Sequence, residues 1–271
     1  MNTSPTLPDR LTLVALSALA YILEVALHEH LGHAGACVLL GSRPLELGAF
    51  YVNCDDAGLR AGGARLVALA GPLVSLLTGF LSFRLLPLFT KSPAAWYFMW
   101  LLGTVGFMTA TGYPLFSGVS GLGDFGTTAD GALYGATPEW LWRGVCALVG
   151  GGTYYLAVRY AARVLDPKVS GEGQARISTA RRIMRVSYVT GAVVYLLIGL
   201  LNPVGFVIVA TSALASSMGG TSGLLWMVRF LDRHRDVPLP GLYFPRRWPW
   251  IIAAVVIVAL YAAVFGPTYR P

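Results

Sequence analysis

Apolar residues in this chain run in long stretches, and the polar residues gather between them. About 20 apolar residues suffice to cross a hydrocarbon core as one helix. The pattern therefore predicts an all-α polytopic membrane protein with seven transmembrane helices: Leu11 to Leu40, Ala64 to Phe89, Ala94 to Phe116, Glu139 to Leu165, Val186 to Leu201, Val204 to Phe230 and Trp248 to Phe265. One segment departs from it. Between Gly41 and Gly63, Pro44 and the alternation of Leu45, Leu47, Phe50 and Val52 lead into a polar turn, Asn53-Cys54-Asp55-Asp56, and predict a short β-hairpin or re-entrant loop after the first span. Such backbone is tolerated at membrane depth only where protein or water covers it.

Finer features sit on this frame. Ala70-Gly71-Pro72-Leu73 early in the second span implies a break or a close contact, because proline frees a carbonyl and small residues admit a neighbouring backbone. Trp96, Tyr97 and Trp100, and again Trp140 and Trp142, stand at span starts where an aromatic belt belongs. Ser212 to Gly223 is built from small residues that suit tight packing or a polar path. The run Ser117-Gly118-Val119-Ser120-Gly121-Leu122-Gly123-Asp124-Phe125-Gly126 lets backbone approach a site closely, and Asp124 is its one carboxylate.

Composition agrees with a membrane protein: 55% of residues are hydrophobic, 12% are charged, and mean hydropathy is +0.63. The net charge of +7 would suit a nucleic-acid surface if it were clustered on one domain. Instead the cations lie between spans, in Asp166 to Arg185 (Lys168, Arg176, Arg181, Arg182, Arg185) and in Arg229 to Arg247. That is the distribution of cytoplasmic loops able to touch anionic lipid, so the expected partner is the bilayer and not nucleic acid. The expected topology is a multi-pass protein of the cell (cytoplasmic) membrane, with the N-terminus and both basic loops inside and the C-terminus outside. The first span reads as retained, since cleavage after Ala18-Leu19-Ala20 would strip the polar cluster described next of its helix. Cys37, Cys54 and Cys146 are too few and scattered for a disulfide framework and read as small apolar filler, with Cys37 near enough to His33 to line a pocket.

Three of the four histidines fall in His28-Glu29-His30-Leu31-Gly32-His33, inside the first span. Ionisable groups at that depth are costly and usually functional. On an α-helical wheel with Glu24 at zero, Glu29 falls at about 140°, His33 at about 180° and His30 at about 240°, whereas His28 falls at about 40°, beside Glu24. Glu29, His30 and His33 are thus expected to converge and His28 to point elsewhere. The zinc-protease helix carries His-Glu-x-x-His with ligands at i and i+4. Counted from His28 that pattern fails at Gly32; slid by one residue it becomes Glu29-His30-Leu31-Gly32-His33, with the first two residues exchanged. Carboxylate can serve as a zinc ligand and histidine as a general base, so Glu29 and His33 as ligands with His30 as catalytic base is viable. The rival geometry has His30 and His33 as ligands and Glu29 as base.

Three stretches together resemble the site-2 protease family of intramembrane zinc metalloproteases. Glu29-His30-Leu31-Gly32-His33-Ala34 is similar to that family's His-Glu-x-Gly-His-Ala, Ala70-Gly71-Pro72 to the Ala-Gly-Pro opening the span after its membrane hairpin, and Gly123-Asp124-Phe125-Gly126 to the segment holding its third zinc ligand. The resemblance covers roughly Leu11 to Gly126. It implies zinc on Glu29, His33 and Asp124, with His30 catalytic. It also implies a metalloprotease-like core over residues 1–138; residues 139–271, which the resemblance does not reach, read from their own pattern as an additional four-helix membrane region with two basic loops. The expected activity is intramembrane zinc-dependent hydrolysis of a membrane-embedded peptide. Fe2+ is the alternative ion, because two carboxylates and an imidazole also make a facial triad. The alternative functions are action on a lipid-like or other non-peptide substrate, or a non-catalytic metal-binding, transport or scaffold role.

Overall fold

A computed structural model describes residues 7–202, 218–237 and 241–271. The described residues are mostly helical, with one two-stranded sheet among them. A long first helix runs through α1 (Arg10–Ala26), a π-helical segment (Leu27–Ala34) and α2 (Gly35–Leu39). It is followed by β1 (Pro44–Leu47), β2 (Val52–Cys54), α3 (Gly63–Leu85), α4 (Pro93–Ser120), α5 (Glu139–Leu165), α6 (Gly173–Gly199), the short α7 (Gly223–Trp226) and α8 (Trp248–Phe265).

Among the described residues, four helices are long and apolar enough to cross a membrane: Arg10–Leu39, Gly63–Phe89, Gly173–Gly199 and Trp248–Phe265. The predicted span from Val204 lies outside the described residues through 217, together with most of its small-residue interior from Ser212. Beyond that point the chain makes only short helical turns up to Phe230.

The structure corrects several expectations. Arg176, Arg181, Arg182 and Arg185 belong to α6 and not to a loop. Its buried positions Arg176, Ile177, Ala180, Ile183, Met184 and Ser187 recur at helical spacing, and the other arginines lie off that stripe. Trp96, Tyr97 and Trp100 are core residues, not an interfacial belt: Trp100 donates its indole N–H to the Ala161 carbonyl at 3.0 Å, and Tyr97 bonds Ser187. The hairpin forms as expected, but its turn is at Gly48 to Tyr51, and Asn53 and Cys54 belong to β2. Cys37 and Cys54 are disulfide-bonded, with Cα atoms 6.0 Å apart, so neither is filler. Sequence spacing concealed this pair because the hairpin folds β2 back over the end of α2.

The two ends of the bundle differ. At one end the start of α1 meets both basic segments: the Asp9 N–H bonds the Phe244 carbonyl, Leu242 bonds Lys168, and Gly171 bridges Val237. At the other end lie the hairpin, the glycine-rich loop after α4, and Tyr269, which bridges Leu47 of β1. The polar segment of the first helix is on this second side.

Candidate metal centre

Eight residues of the first helix, Leu27 to Ala34, wind as a π-helix, and the Gly35 N–H still reaches back to the His30 carbonyl. A π turn closes i to i+5, so residues five apart stack as residues four apart do in an α-helix. This changes which side chains converge. His28 and His33, about 140° apart on an α wheel, come face to face with Nε2 atoms 3.2 Å apart and ring centroids 4.9 Å apart. The expectation that His28 points elsewhere is corrected, because the wheel assumed a uniform α-helix. His30 is carried to another side, where its ring packs 4.1 Å from Phe265 and 5.9 Å from Tyr261 of α8 and neither nitrogen has a hydrogen-bond partner.

The helix α3 closes one side of this pair. Gly32 and Gly71 bring the two backbones together: a Cβ on Gly32 would lie 2.7 Å from the Gly71 Cα, and one on Gly71 would strike the His33 ring and sit 2.8 Å from His28 Nε2. Close approach, one of the two readings of Ala70-Gly71-Pro72, is what forms, and α3 runs on through Pro72. His33 Nδ1 is 2.8 Å from the Val67 carbonyl, which can only accept, so Nδ1 donates and the Nε2 lone pair of the neutral ring is left facing His28.

The loop after α4 supplies the third group. Gly121 ends α4 with φ of 80° and Gly123 has φ of 79°, both in the left-handed region that glycine enters without strain. The turn between them is pinned by Phe125 N–H to Ser117 and by Ala132 N–H to the Asp124 carbonyl. It delivers the Asp124 carboxylate to 3.2 Å from His28 Nε2 and 3.6 Å from His33 Nε2.

His28, His33 and Asp124 therefore form one group whose ligand atoms lie within 4.8 Å of each other. Four ligands on zinc at 2.0–2.1 Å stand about 3.3 Å apart at the corners of a tetrahedron. The two Nε2 atoms, 3.2 Å apart, match that figure, and Asp124 offers one oxygen to each ring, Oδ2 at 3.2 Å from His28 and Oδ1 at 3.6 Å from His33. Asp124 Oδ2 makes no hydrogen bond despite its nearness to His28. A buried acceptor without a donor needs a partner, and a cation would supply one. Two imidazoles and a carboxylate are a donor set that fits a zinc ion.

Glu29, named at the outset as a ligand, is 3% exposed and lies outside this donor group, with Oε2 unpaired. It lines a cavity of about 1110 Å³ with His33, Asp124, the hairpin residues Phe50 to Cys54, and Phe116 and Tyr154. Of the four residues expected at the site, the structure brings Glu29, His33 and Asp124 to this cavity and leaves His30 outside its lining; His28, which was not expected, joins the donor group from behind the cavity wall without lining it. A signal for His28 was present as His28-Glu29-x-x-x-His33, one residue longer than the zinc-protease motif, which a π turn absorbs. Compared with models of known protein families, with curated proteins and with solved structures, the chain matches none.

Proposed function

We propose that the protein is an intramembrane metallohydrolase that cleaves peptide bonds, with His28, His33 and Asp124 holding one zinc ion and Glu29 as general base. The observation that carries this is the group of two imidazole nitrogens and a carboxylate, with Glu29 next in sequence to His28 and its Oε2 unpaired; Glu29, His33 and Asp124 all line one cavity. On this reading the resemblance to site-2 proteases extends to His28-Glu29 itself, with a single residue more before Gly32-His33-Ala34. Zinc in such a site supplies Lewis acidity and a water of lowered pKa. Glu29 takes the proton at Oε2 and returns it to the leaving amine.

A peptide is favoured over a lipid-like substrate by β2, which pairs with β1 on one side and borders the cavity. A strand edge accepts extended backbone by main-chain hydrogen bonds, which a lipid lacks. In the membrane we place the chain as a multi-pass protein of the cell membrane with seven spans, both basic segments in the cytoplasm and the metal centre toward the outside. The disulfide near the site accords with an oxidising exterior.

Metal content decides the ligand set. Wild type and His30→Ala are expected to carry one zinc per chain, whereas His28→Ala, His33→Ala and Asp124→Ala lose it. Glu29→Gln should retain zinc and lose hydrolysis of a membrane peptide by about 10²–10⁴-fold. Zinc lost in His30→Ala but kept in His28→Ala would overturn the assignment and restore the alternative with His30 as ligand.

A further inference from the structure

On the side of His28 away from Asp124, a second buried carboxylate enters. Glu24, one α-helical turn before His28, is 2% exposed, and its Oε1 accepts a 2.7 Å hydrogen bond from the Ser75 hydroxyl of α3. Ser75 Oγ is also 2.9 Å from His28 Nδ1. Tyr113 stacks on the other face of the His28 ring, with centroids 4.8 Å apart and planes 12° from parallel.

With Glu24 ionised, the hydrogen count in this chain has one solution. A serine hydroxyl has a single hydrogen, and Ser75 gives it to Glu24, which as a carboxylate can only accept. Toward His28 the serine therefore presents a lone pair, so His28 Nδ1 must carry hydrogen and donate. The Nε2 of the neutral ring is then free of hydrogen and aimed at His33 and Asp124. We propose that Glu24 and Ser75 are positioning residues that fix the His28 tautomer and hold its Nε2 lone pair ready for the ion, an inference that rests on the metal centre proposed above. It explains why a carboxylate that touches no substrate is buried in the first span, and why its partner is a serine on the helix that Gly71 presses against the site. Hydrogen bonds behind a ligating histidine of this kind typically sustain metal affinity by 10–100-fold.

The test uses the full chain in detergent micelles with ¹⁵N-labelled histidine, first free of metal and then titrated with zinc against a competing chelator. In metal-free wild type the ¹⁵N shifts should show hydrogen on His28 Nδ1. Glu24→Gln keeps the shape, but its amide can donate as well as accept, so the Ser75 hydrogen can turn toward His28. Nδ1 should then be only partly protonated and zinc affinity should fall by about 10–100-fold. Ser75→Ala should weaken zinc to a similar degree, and Ser75→Thr, which keeps the hydroxyl, should restore it. A purely structural role would leave the tautomer unmoved in the isosteric Glu24→Gln. An unprotonated His28 Nδ1 in wild type, or a tautomer and zinc affinity unchanged in Glu24→Gln, overturns the inference. If wild type takes up no zinc yet His28 shows the expected tautomer and responds to Glu24→Gln, the relay stands and the metal reading fails.

Discussion

Buried charge occurs at both ends of this molecule, and the two ends treat it oppositely. At the basic end Arg176 is fully buried and each nitrogen of its guanidinium is used: Nε donates to the Val169 carbonyl at 3.1 Å, Nη1 to the Asp232 carbonyl at 2.6 Å, and Nη2 to Asp166 Oδ1 at 2.7 Å and to the Asp166 carbonyl. Asp166 is completed by the Asp232 N–H and by Arg235 at 3.1 Å. At the other end Glu29 Oε2 and Asp124 Oδ2 have no hydrogen-bond partner, and two imidazole nitrogens meet at 3.2 Å. A closed network satisfies its own charges and needs nothing further; an open one is arranged around something added to it. The physical difference is completeness, because a buried polar group left unpaired costs about 1–3 kcal/mol.

The largest expected effect comes from opening the closed end. Arg176→Met removes one partner of a buried pair and should lower unfolding free energy by about 3–5 kcal/mol. Residual pairing of Asp166 with Arg235 sets the lower part of that range. The matching change at the open end, His33→Ala in metal-free protein, loses the hydrogen bond to Val67 and the Nε2 contacts with His28 and Asp124, and should cost only about 1–3 kcal/mol. Denaturant unfolding of both variants in the same detergent checks the contrast. Equal losses would mean that the site end is held together by its own polar groups.

The open end has a covalent brace instead. Cys37 lies four residues beyond His33, and its disulfide to Cys54, 17 positions away, ties the hairpin to the metal-bearing helix. Closing a loop of that size contributes about 3 kcal/mol in the chain-entropy account. Cys54→Ser should lower the unfolding midpoint accordingly, and reductant should do the same to wild type while leaving the variant unmoved. A wild type indifferent to reductant would remove the brace from the comparison.

Much of this site was legible in the sequence, and what was not has a definite cause. The three stretches that meet, His28 to His33, Ala70 to Pro72 and Gly121 to Gly126, all stood out by residue type: ionisable groups in an apolar run, proline with small residues, glycine around a lone carboxylate. The ligand pair did not, because helical phase was taken as uniform and one extra residue in a turn rotates everything beyond it by about 100°. The arginines of α6 were read as a loop because charge was given more weight than the helical spacing of Ile177, Ala180, Ile183 and Met184. Pairing of Cys37 with Cys54 depended on where the hairpin turns, which the alternation of Leu45 to Val52 located only approximately.

The π turn can be tested by removing it. Deleting His30 alone leaves His28-Glu29-Leu31-Gly32-His33, which places the two ligand histidines four apart, as an α-helix requires. Because the bulge absorbs one residue, its loss should leave both flanks of the helix in register. Zinc affinity should stay within about tenfold of wild type, or about 1.4 kcal/mol, and His28→Ala in the shortened chain should abolish it. Loss of zinc on deletion itself would mean that the π turn does not set the pairing of His28 with His33.

The smallest effect lies at the edge of the basic end, where Asp9 is a more exposed counterpart of Asp166. It caps α1 by accepting from the Thr12 N–H at 3.0 Å and pairs with Arg246 at 3.2 Å. The Thr12 hydrogen bond outweighs partial burial and, with Arg246, holds the Asp9 carboxyl below its ordinary value of 3.8. A depressed folded-state pKa contributes stability that is fully present above the unfolded value and is lost as pH falls through the folded one. At pH 7, Asp9→Ala should therefore cost about 1 kcal/mol. Asp9→Asn, an equally good cap, gives up only the exposed ion pair, about 0.2–1 kcal/mol. On acidification the wild type should lose its advantage over Asp9→Asn, whose cap does not titrate, and fall below it once the carboxyl is protonated. Melting curves of the three proteins between neutral pH and pH about 3 would show the crossing. Parallel curves would mean that Asp9 contributes through shape and not charge, and that exposure has already cancelled at this rim what burial preserves at Arg176.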